Sequence, residues 1–385
     1  MLWMVMRDVL LLLALASFVY YAVAIVAALR FFRAQTPAPP GFTPPLSILK
    51  PIYGLDRETY ENYASFCLQD YPDYEILFCV SDDQDPAVPV IADLARNFPE
   101  RTIKLIVGSE PLGVSDKVNK LCRMARAATH EILVVSDSDV RVEPGYLRAI
   151  AAPFRDPKVG AVTCLYRGLT DGSLAANLEA IGNSTDFTAG VLVAWLFSDV
   201  NFTLGATMAT TKTRLAEIGG FESLVDHFSD DYELGNRIAA HGHRVELSSF
   251  PVSIVYPQQT LGDAFRHQLR WNLSIRYSRP AGHLGLIFTQ GLPLALLAAV
   301  FAPSAAWAVS LVLGYLVLRG VSAWIIGVVG MRDGLLRRKM ELLPLRDGFA
   351  FVVWVASFFP QRIHWRGQEF YVRDKRLVST GPRQP

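Results

Sequence analysis

Residues 131–139 read EILVVSDSD, an apolar run that ends in two aspartates one residue apart. Other apolar runs alternate with helix-like stretches along the same part of the chain, at 46–52, 57–69, 75–81, 87–97, 103–108 and 116–128. Strands and helices in this order favour a mostly parallel sheet with helices on its faces. The sequence therefore predicts an α/β fold.

Aspartates follow two of the predicted strands directly. Asp82 and Asp83 come after the second strand, and Asp137 and Asp139 come after the fourth. Ligands of such sheets bind outside the carboxyl ends of the strands, so we expect these side chains at the binding edge. Two carboxylates one residue apart suit a Mg²⁺ ion that substrate phosphates also bind. For Asp82 and Asp83 the alternative is a solvated turn, in which aspartate is common.

A third acidic pair, Asp230 and Asp231, opens a helix-like stretch that runs to Ala240. One of the two could cap this helix, and the other could be a general base that takes a proton from an attacking hydroxyl. Lys50 ends the first predicted strand, and Lys117 opens a helix, where anions are favoured. Either lysine could meet phosphate oxygens or lie on the surface.

Residues 267–271 read HQLRW, just before a long apolar run. Arg270 can bind a diphosphate through its fixed fork of donors, and Trp271 can stack on a sugar or a base. Taken alone, however, the cluster is more typical of a basic interfacial helix with an aromatic anchor beside a membrane.

The apolar residues are concentrated towards the two ends of the chain. Of 385 residues, 51% are hydrophobic and 19% are charged, with a mean hydropathy of +0.25. This composition excludes intrinsic disorder and argues against a purely soluble enzyme. Three runs are long enough to cross a bilayer: 9–29, 284–302 and 305–330, the last interrupted only by Arg319. The run 349–359 is too short and is predicted to be interfacial or re-entrant.

Charge gives the expected topology. Arginines follow the first run, precede the second and follow the third, and one topology places all three groups in the cytoplasm. The predicted parts are a transmembrane anchor at 1–33, a proline-rich linker at 34–45, a cytoplasmic catalytic domain at 46–280, a transmembrane hairpin at 284–330, and a basic loop and tail at 331–385. A net charge of +1 provides no general basic field for nucleic acid, so we expect no nucleic-acid partner. The four cysteines fit neither a zinc site nor a disulfide scaffold.

Jointly, the clusters resemble the "D, D, D, (Q/R)xxRW" pattern of membrane-bound, inverting glycosyltransferases of the GT-A type. The nearest resemblance is to the ceramide glucosyltransferase family (family 21), with its bacterial relatives that modify hopanoids with N-acetylglucosamine. Besides the clusters, the stretches that carry it are 47–54, 69–77, 82–86 and 113–121. His267 departs from the pattern, which has Gln or Arg at this position. Gln is the usual residue in processive synthases, so the departure argues against that class.

The resemblance implies a Rossmann-like GT-A domain and a role for each cluster. Asp82 would contact the uracil of a UDP-sugar, with Asp83 beside it, and Asp137 and Asp139 would hold Mg²⁺ or Mn²⁺. Asp231, more than Asp230, would be the catalytic base. The remaining donor-binding residues would be Lys50, Lys117, His267, Arg270 and Trp271.

The implied activity is transfer of one hexose from a UDP-sugar to a hydroxyl of a membrane lipid such as ceramide. Transfer of N-acetylglucosamine from UDP-GlcNAc to a hopanoid polyol is an alternative, and a processive polysaccharide synthase is another. A non-enzymatic interpretation is a membrane-anchored scaffold that binds a nucleotide without turnover. The expected location is the inner membrane of a bacterium, with the catalytic domain facing the cytoplasm. We also expect part of the apolar stretch 187–197 to line the path of the lipid acceptor.

Overall fold

The structure is a computed structural model that describes residues 2–34, 41–108, 110–359, 363–365, 368–373 and 375–379. The chain divides into two compact units. The first, which we call the helical unit, contains Met1–Ala34, Arg167–Ser198 and Gln258–Gln361; the second, the sheet unit, contains Gln35–Tyr166, Asp199–Pro257 and Arg362–Pro385. These units are discontinuous in sequence, whereas the predicted domains follow one another along the chain.

The strands in chain order are β1 (Leu46–Pro51), β2 (Tyr74–Val80), β3 (Thr102–Val107), β4 (Ile132–Ser136), β5 (Val140–Arg141), β6 (Val159–Leu169), β7 (Thr207–Thr211), β8 (Arg244–Val255), β9 (Ile363–Trp365), β10 (Gln368–Arg373) and β11 (Arg376–Ser379). The helices are α1 (Leu2–Arg33), α2 (Thr59–Cys67), α3 (Ala87–Asn97), α4 (Asp116–Ala127), α5 (Tyr146–Ala151), α6 (Leu174–Gly182), α7 (Thr188–Phe197), α8 (Lys212–Glu217), α9 (Asp230–Ala240), α10 (Leu261–Ser278), α11 (Pro280–Gly285), α12 (Gly291–Val300), α13 (Ala305–Ala323), α14 (Gly334–Arg338) and α15 (Leu343–Ala356).

An eight-stranded sheet with the order β3-β2-β1-β4-β7-β6-β8-β5 forms the core of the sheet unit. The neighbours β3, β2, β1 and β4 are parallel, whereas β7 pairs antiparallel with β4 and β6, and β5 pairs antiparallel with β8. Every residue of β1, β2 and β4 is buried, which explains their almost continuous apolar sequences. Because these strands are parallel, their carboxyl ends share one edge of the sheet. The predicted strands and helices of this half agree with the structure to within about two residues at each end.

A second, three-stranded antiparallel sheet has the order β11-β10-β9. It is formed by the C-terminal part of the chain, which the sequence indicated only as a basic tail. Phe370 and Leu377 are buried, each with 3% of its surface exposed, so the sheet packs with an apolar face.

In the helical unit, two helices are long and apolar enough to cross a membrane, one over Trp3–Arg33 and one over Ala305–Gly330. The predicted span 284–302 is not one straight helix: the segments Pro280–Thr289 and Gly291–Val300 meet at a bend of 58°. They form either a broken span or a re-entrant loop. The short run 349–359 lies mostly within α15, which is not among the candidate spans of the described chain.

Arg319 of α13 is buried, as expected for a charge within a membrane span. Its guanidinium lies 3.0 Å from Asp347 Oδ1 and 2.5 Å from Asp186 Oδ1. Asp186 belongs to a π-helical turn, Asn183–Phe187, between α6 and α7. These ion pairs connect three segments of the helical unit through one buried cation.

Candidate active site

The loop that follows β4 carries the first two carboxylates of the candidate site, those of Asp137 and Asp139. The backbone carbonyl of Asp137 accepts a hydrogen bond of 2.8 Å from Lys50 Nζ, and its carboxylate lies 2.7 Å from Lys117 Nζ. The backbone carbonyl of Asp139 accepts a bond of 2.9 Å from the Val255 amide of β8. Both predicted lysines therefore converge on the predicted metal-binding loop.

Lys50 is fully buried, with its ammonium 3.9 Å from the centre of the Phe66 ring. Burial lowers the pKa of Lys50 to about 7, although Asp137 and Asp139 oppose that shift. Lys50 is thus not the surface lysine that the sequence allowed. Its hydrogen bond to the loop backbone helps to hold Asp137 in place. Its role in binding the nucleotide stays a prediction.

The Asp139 carboxyl group is crowded by other acids. Burial, followed by the charges of Asp137 and Asp56, raises the pKa of Asp139 to about 7. Asp56 follows β1 and so belongs to the same edge of the sheet. A group of acids at this edge favours binding of a cation, because a cation would stabilise the ionised carboxylates.

Lys117 lies in the first turn of α4, whose N-cap residue Ser115 accepts a hydrogen bond from the Val118 amide. Its ammonium is 2.7 Å from Asp137 Oδ1 and 3.8 Å from Asp230 Oδ2. Although burial favours the neutral amine, these carboxylates raise the pKa of Lys117 above its ordinary value. Lys117 therefore contacts both the loop of Asp137 and Asp139, predicted to bind the metal, and the acidic pair predicted to contain the base.

Asp230 and Asp231 lie in the first turn of α9, and the N-cap position belongs to Ser229. Neither aspartate is therefore the N-cap residue, in contrast to the possibility raised from the sequence. The Asp231 carboxylate accepts a bond of 2.8 Å from the Tyr232 amide, and its backbone carbonyl accepts one of 2.6 Å from Thr203 Oγ1. Burial, reinforced by Asp230 and opposed by Lys117, raises the pKa of Asp231 to about 6. A carboxylate with this pKa suits a general base near neutral pH.

Asp82 and Asp83 lie in an exposed turn at the carboxyl end of β2. Asp82 Oδ1 accepts a bond of 2.9 Å from the Gln84 amide, and Asp83 Oδ1 accepts one of 3.0 Å from the Gln84 side chain. The nearby Asp85 accepts bonds from the Gly54 amide, at 3.0 Å, and from the Ala87 amide, at 2.9 Å. The hydrogen bonds of this turn are those of a solvated loop. Its carboxylates are exposed, so a ligand could reach them.

The HQLRW cluster lies on α10, in the helical unit. His267 Nδ1 is 2.5 Å from the carboxylate of Glu179, and the His267 and Trp271 rings are 4.8 Å apart. Glu179 also accepts bonds from Gln268, at 3.0 Å, and from Gln259, at 2.5 Å. Although burial alone would raise the pKa of Glu179, these bonds hold it below its ordinary value. The unusual histidine of the motif thus has a buried carboxylate as its partner.

Asp56 and Glu179 contact or influence candidate-site residues and were not predicted from the sequence. Asp56 carried only a weak signal, because it lies four residues after the first predicted strand, whereas Asp82 and Asp137 follow their strands directly. Glu179 carried none, since it lies within an apolar helical stretch and its partner His267 is 88 positions away.

The residues at the sheet edge are compatible with a divalent cation that the substrate helps to bind. In the part of the chain that the structure describes, no group of three or more His, Cys, Asp or Glu side chains is arranged to hold a metal ion. Asp137 and Asp139 could supply two carboxylates, which matches the way Mg²⁺ is usually held by one or two carboxylates together with substrate phosphates.

Known proteins resemble this chain in sequence over most of its length. The sequence model of glycosyltransferase family 21 matches residues 9–378. The chain belongs to this family. Ceramide glucosyltransferase 1 of Caenorhabditis elegans is 28% identical over 256 residues, 66% of this chain and 55% of that protein. Ceramide glucosyltransferase 3 of the same organism is 30% identical over 213 residues, 54% of this chain and 45% of that protein. The family 21 chain thus spans about half the length of the curated relatives it matches.

A solved structure supports the fold. A mannosyltransferase from Pyrobaculum calidifontis, in complex with GDP-Man and Mn²⁺, superposes with a TM-score of 0.55 at 17% identity, over 92% of this chain and 99% of the other. The predicted GT-A fold class, with apolar helices near both ends, is therefore confirmed.

Proposed function

We propose that this family 21 chain transfers one hexose from a UDP-sugar to a hydroxyl of a membrane lipid, with inversion at the anomeric carbon. The observation that carries the proposal is the convergence of Lys50 and Lys117 on the loop of Asp137 and Asp139, with Asp230 beside Lys117. Cations and carboxylates placed together at the carboxyl edge of the sheet suit a charged donor with a diphosphate.

Asp231 is the proposed base. Its carboxylate would take the proton of the acceptor hydroxyl while that oxygen attacks the anomeric carbon of the donor and the bond to UDP breaks. One such displacement converts an α-linked donor to a β-linked product without a covalent intermediate. The pKa of about 6 supports this role, because the group is mostly ionised at neutral pH and still close enough in pKa to accept a proton.

Asp137 and Asp139 would hold Mg²⁺ or Mn²⁺. Such a cation, when bound, neutralises charge on the departing diphosphate. Lys117 contributes a second positive charge, and its ion pair with Asp137 orients that carboxylate. Lys50 fixes the backbone of the same loop, so the two lysines stabilise the position of the metal ligands.

The resemblance to the family pattern assigns the other donor contacts. Asp82 would bind uracil, with Asp83 beside it, and His267, Arg270 and Trp271 would bind the diphosphate and the sugar. Glu179 supports this assignment in one respect, because it fixes the orientation of the His267 ring.

A lipid acceptor is supported by the two long apolar helices and by the curated relatives, which are ceramide glucosyltransferases. The proposed path for the lipid runs along part of the apolar stretch 187–197, all of which except its first residue lies in α7. Its buried positions include Ala189 and Leu192, whereas 74% of Phe197 is exposed. We place the chain in the bacterial inner membrane with the sheet unit in the cytoplasm.

The test uses the purified full chain in lipid nanodiscs with radiolabelled UDP-glucose or UDP-GlcNAc and with ceramide or a hopanoid polyol. We expect one sugar per ceramide from UDP-glucose, together with release of UDP. Transfer of N-acetylglucosamine to the polyol would favour the hopanoid alternative, and long products would favour a processive synthase. Absence of UDP release with every acceptor would contradict the proposed function.

A further inference from the structure

The C-terminal hairpin of β10 and β11 pairs with the loop that leads into α9. The Leu377 amide donates a bond of 2.9 Å to the Asp226 carbonyl, and the Phe228 amide donates one of 3.1 Å to the Lys375 carbonyl. His227 and Arg376 stand opposite each other as an antiparallel bridge. The tail thus adds a short strand pairing to residues 226–228, which end two positions before Asp230.

The same loop is held on its other side by the turn that opens α4. The Ser115 amide donates a bond of 2.8 Å to the Val225 carbonyl, and the Val114 amide donates one of 3.0 Å to Asp226 Oδ1. A Cβ atom at Gly113 would lie only 2.5 Å from Val225 Cβ, so this turn and the loop are in close contact. The loop is therefore fixed between the tail hairpin and the turn that positions Lys117.

Side chains strengthen the contact of the hairpin. Leu377 is buried, with 3% of its surface exposed. Lys375 Nζ lies 3.9 Å from Glu233 Oε1 and 5.9 Å from the centre of the Tyr232 ring, both on α9. Although Glu233 is buried, Lys375 is exposed and its ammonium is at the outer limit of an ion pair, so the backbone pairing and the burial of Leu377 account for most of the attachment.

We propose that the C-terminal hairpin is a positioning element for the candidate base: its pairing with residues 226–228 fixes the first turn of α9, which carries Asp230 and Asp231. This inference rests on the proposed function. A shift of about 1 Å in a reacting group lowers a rate about 100-fold, so loosening of the loop would affect kcat strongly. The UDP-sugar would still bind, because the loop of Asp137 is held independently by Lys50.

The first experiment is Leu377→Pro in the full chain, which removes the amide donor to Asp226. We expect kcat to fall about 10-fold to 100-fold while KM for the UDP-sugar changes less than about threefold. Hydrogen–deuterium exchange should become faster at residues 226–233. Tyr371→Ser is the matched control, because Tyr371 lies on β10 with 42% of its surface exposed, and should leave all three values unchanged.

The second experiment uses a disulfide. It distinguishes a local loss of the hairpin contact from general unfolding of the chain. The two backbone bonds flank His227 and Arg376, as in a non-hydrogen-bonded pair with Cα atoms about 4.5 Å apart, which suits a disulfide. In a variant with Leu377→Pro, His227→Cys and Arg376→Cys, oxidation should restore kcat and slow exchange, and reduction should reverse both. The four native cysteines are buried, so they should not compete.

The outcomes separate the two proposals. Unchanged kcat and unchanged exchange in Leu377→Pro, or no recovery on oxidation of the disulfide variant, would overturn the positioning role. A wild-type chain that transfers no sugar would overturn the proposed function instead, and exchange at residues 226–233 would then still decide whether the hairpin orders the loop.

Discussion

The Asp231 carboxyl group has a pKa of about 6, because burial and Asp230 favour its neutral form more than Lys117 favours the charged one. A base must be ionised to accept a proton, so kcat/KM should rise with pH, level off above about 6 and fall about tenfold per pH unit below it. We expect Asp231→Asn to lower kcat about 1,000-fold while UDP-sugar binding, measured by calorimetry, persists.

The matched control for Asp231→Asn is Asp93→Asn, since Asp93 is an exposed residue of α3 and should tolerate the change. A variant Asp231→Asn with full activity, or a wild-type profile that stays flat well below pH 6, would exclude Asp231 as the base. Asp230→Asn would then be the next variant to measure.

Asp139 provides a second prediction at the scale of the residue. Chelation of divalent cations should abolish transfer, and addition of Mg²⁺ or Mn²⁺ should restore it. Asp139→Asn should raise the metal concentration needed for half-maximal activity about tenfold or more, because one carboxylate ligand is lost. Ser138→Ala, in the same loop, should leave that concentration unchanged. Equal metal requirements in the wild type and in Asp139→Asn would rule out this metal site.

At the scale of the element, the sequence predicted the parallel half of the sheet because burial on both faces leaves an apolar run. It did not predict β7, which reads TMATT. Two buried hydroxyls of β7 bond to backbone carbonyls of other strands: Thr210 Oγ1 donates to the Gly160 carbonyl at 2.7 Å, and Thr207 Oγ1 donates to the Val135 carbonyl at 3.3 Å. These partners are remote in sequence, so the pattern alone cannot show that such threonines are buried.

In the candidate site, too, features set by local sequence order could be predicted, and those set by long-range contacts could not. The places of Asp137 and Asp139 after a strand and of Asp231 at the start of a helix could be predicted, because local sequence order determines them; their roles stay predictions. The burial of Lys50 and the pairing of Glu179 with His267 could not be predicted, because both depend on contacts between segments about 90 residues apart. The bend between α11 and α12 was equally hidden, since a count of apolar residues is the same for a straight and a bent helix.

The ion pairs of Arg319 provide a prediction about the helices of the helical unit. Arg319→Leu would leave Asp347 without its buried cation and Asp186 with Arg346 alone, and we expect it to destabilise the chain by about 3–5 kcal/mol. The double variant Arg319→Leu, Asp347→Leu should recover part of that loss, because only Asp186 remains to be compensated and Arg346 Nε lies 3.1 Å from it. Thermal unfolding in detergent measures both. A double variant less stable than the single one would contradict this account.

At the scale of the whole molecule, the bent pair α11–α12 determines how the chain crosses the bilayer. If the pair crosses, the arginines near α1, those of α10 and those after α13 all lie on the cytoplasmic side. If it is re-entrant, the basic residues after α13 lie on the opposite side, against the tendency of short basic loops to stay in the cytoplasm. We therefore predict that the bent pair crosses and that the chain has three spans, the largest number the described helices allow.

Cysteine labelling tests this topology in intact cells and in inverted vesicles. Ser304→Cys, in the exposed connection between α12 and α13, should react with an impermeant maleimide only from outside the cell. Lys339→Cys, exposed after α13, should react only from the cytoplasmic side. The unsubstituted chain is the control, because its four cysteines are buried and should remain unlabelled. The reverse pattern, with Ser304→Cys reacting from the cytoplasm and Lys339→Cys from outside, would mean that α11 and α12 form a re-entrant loop.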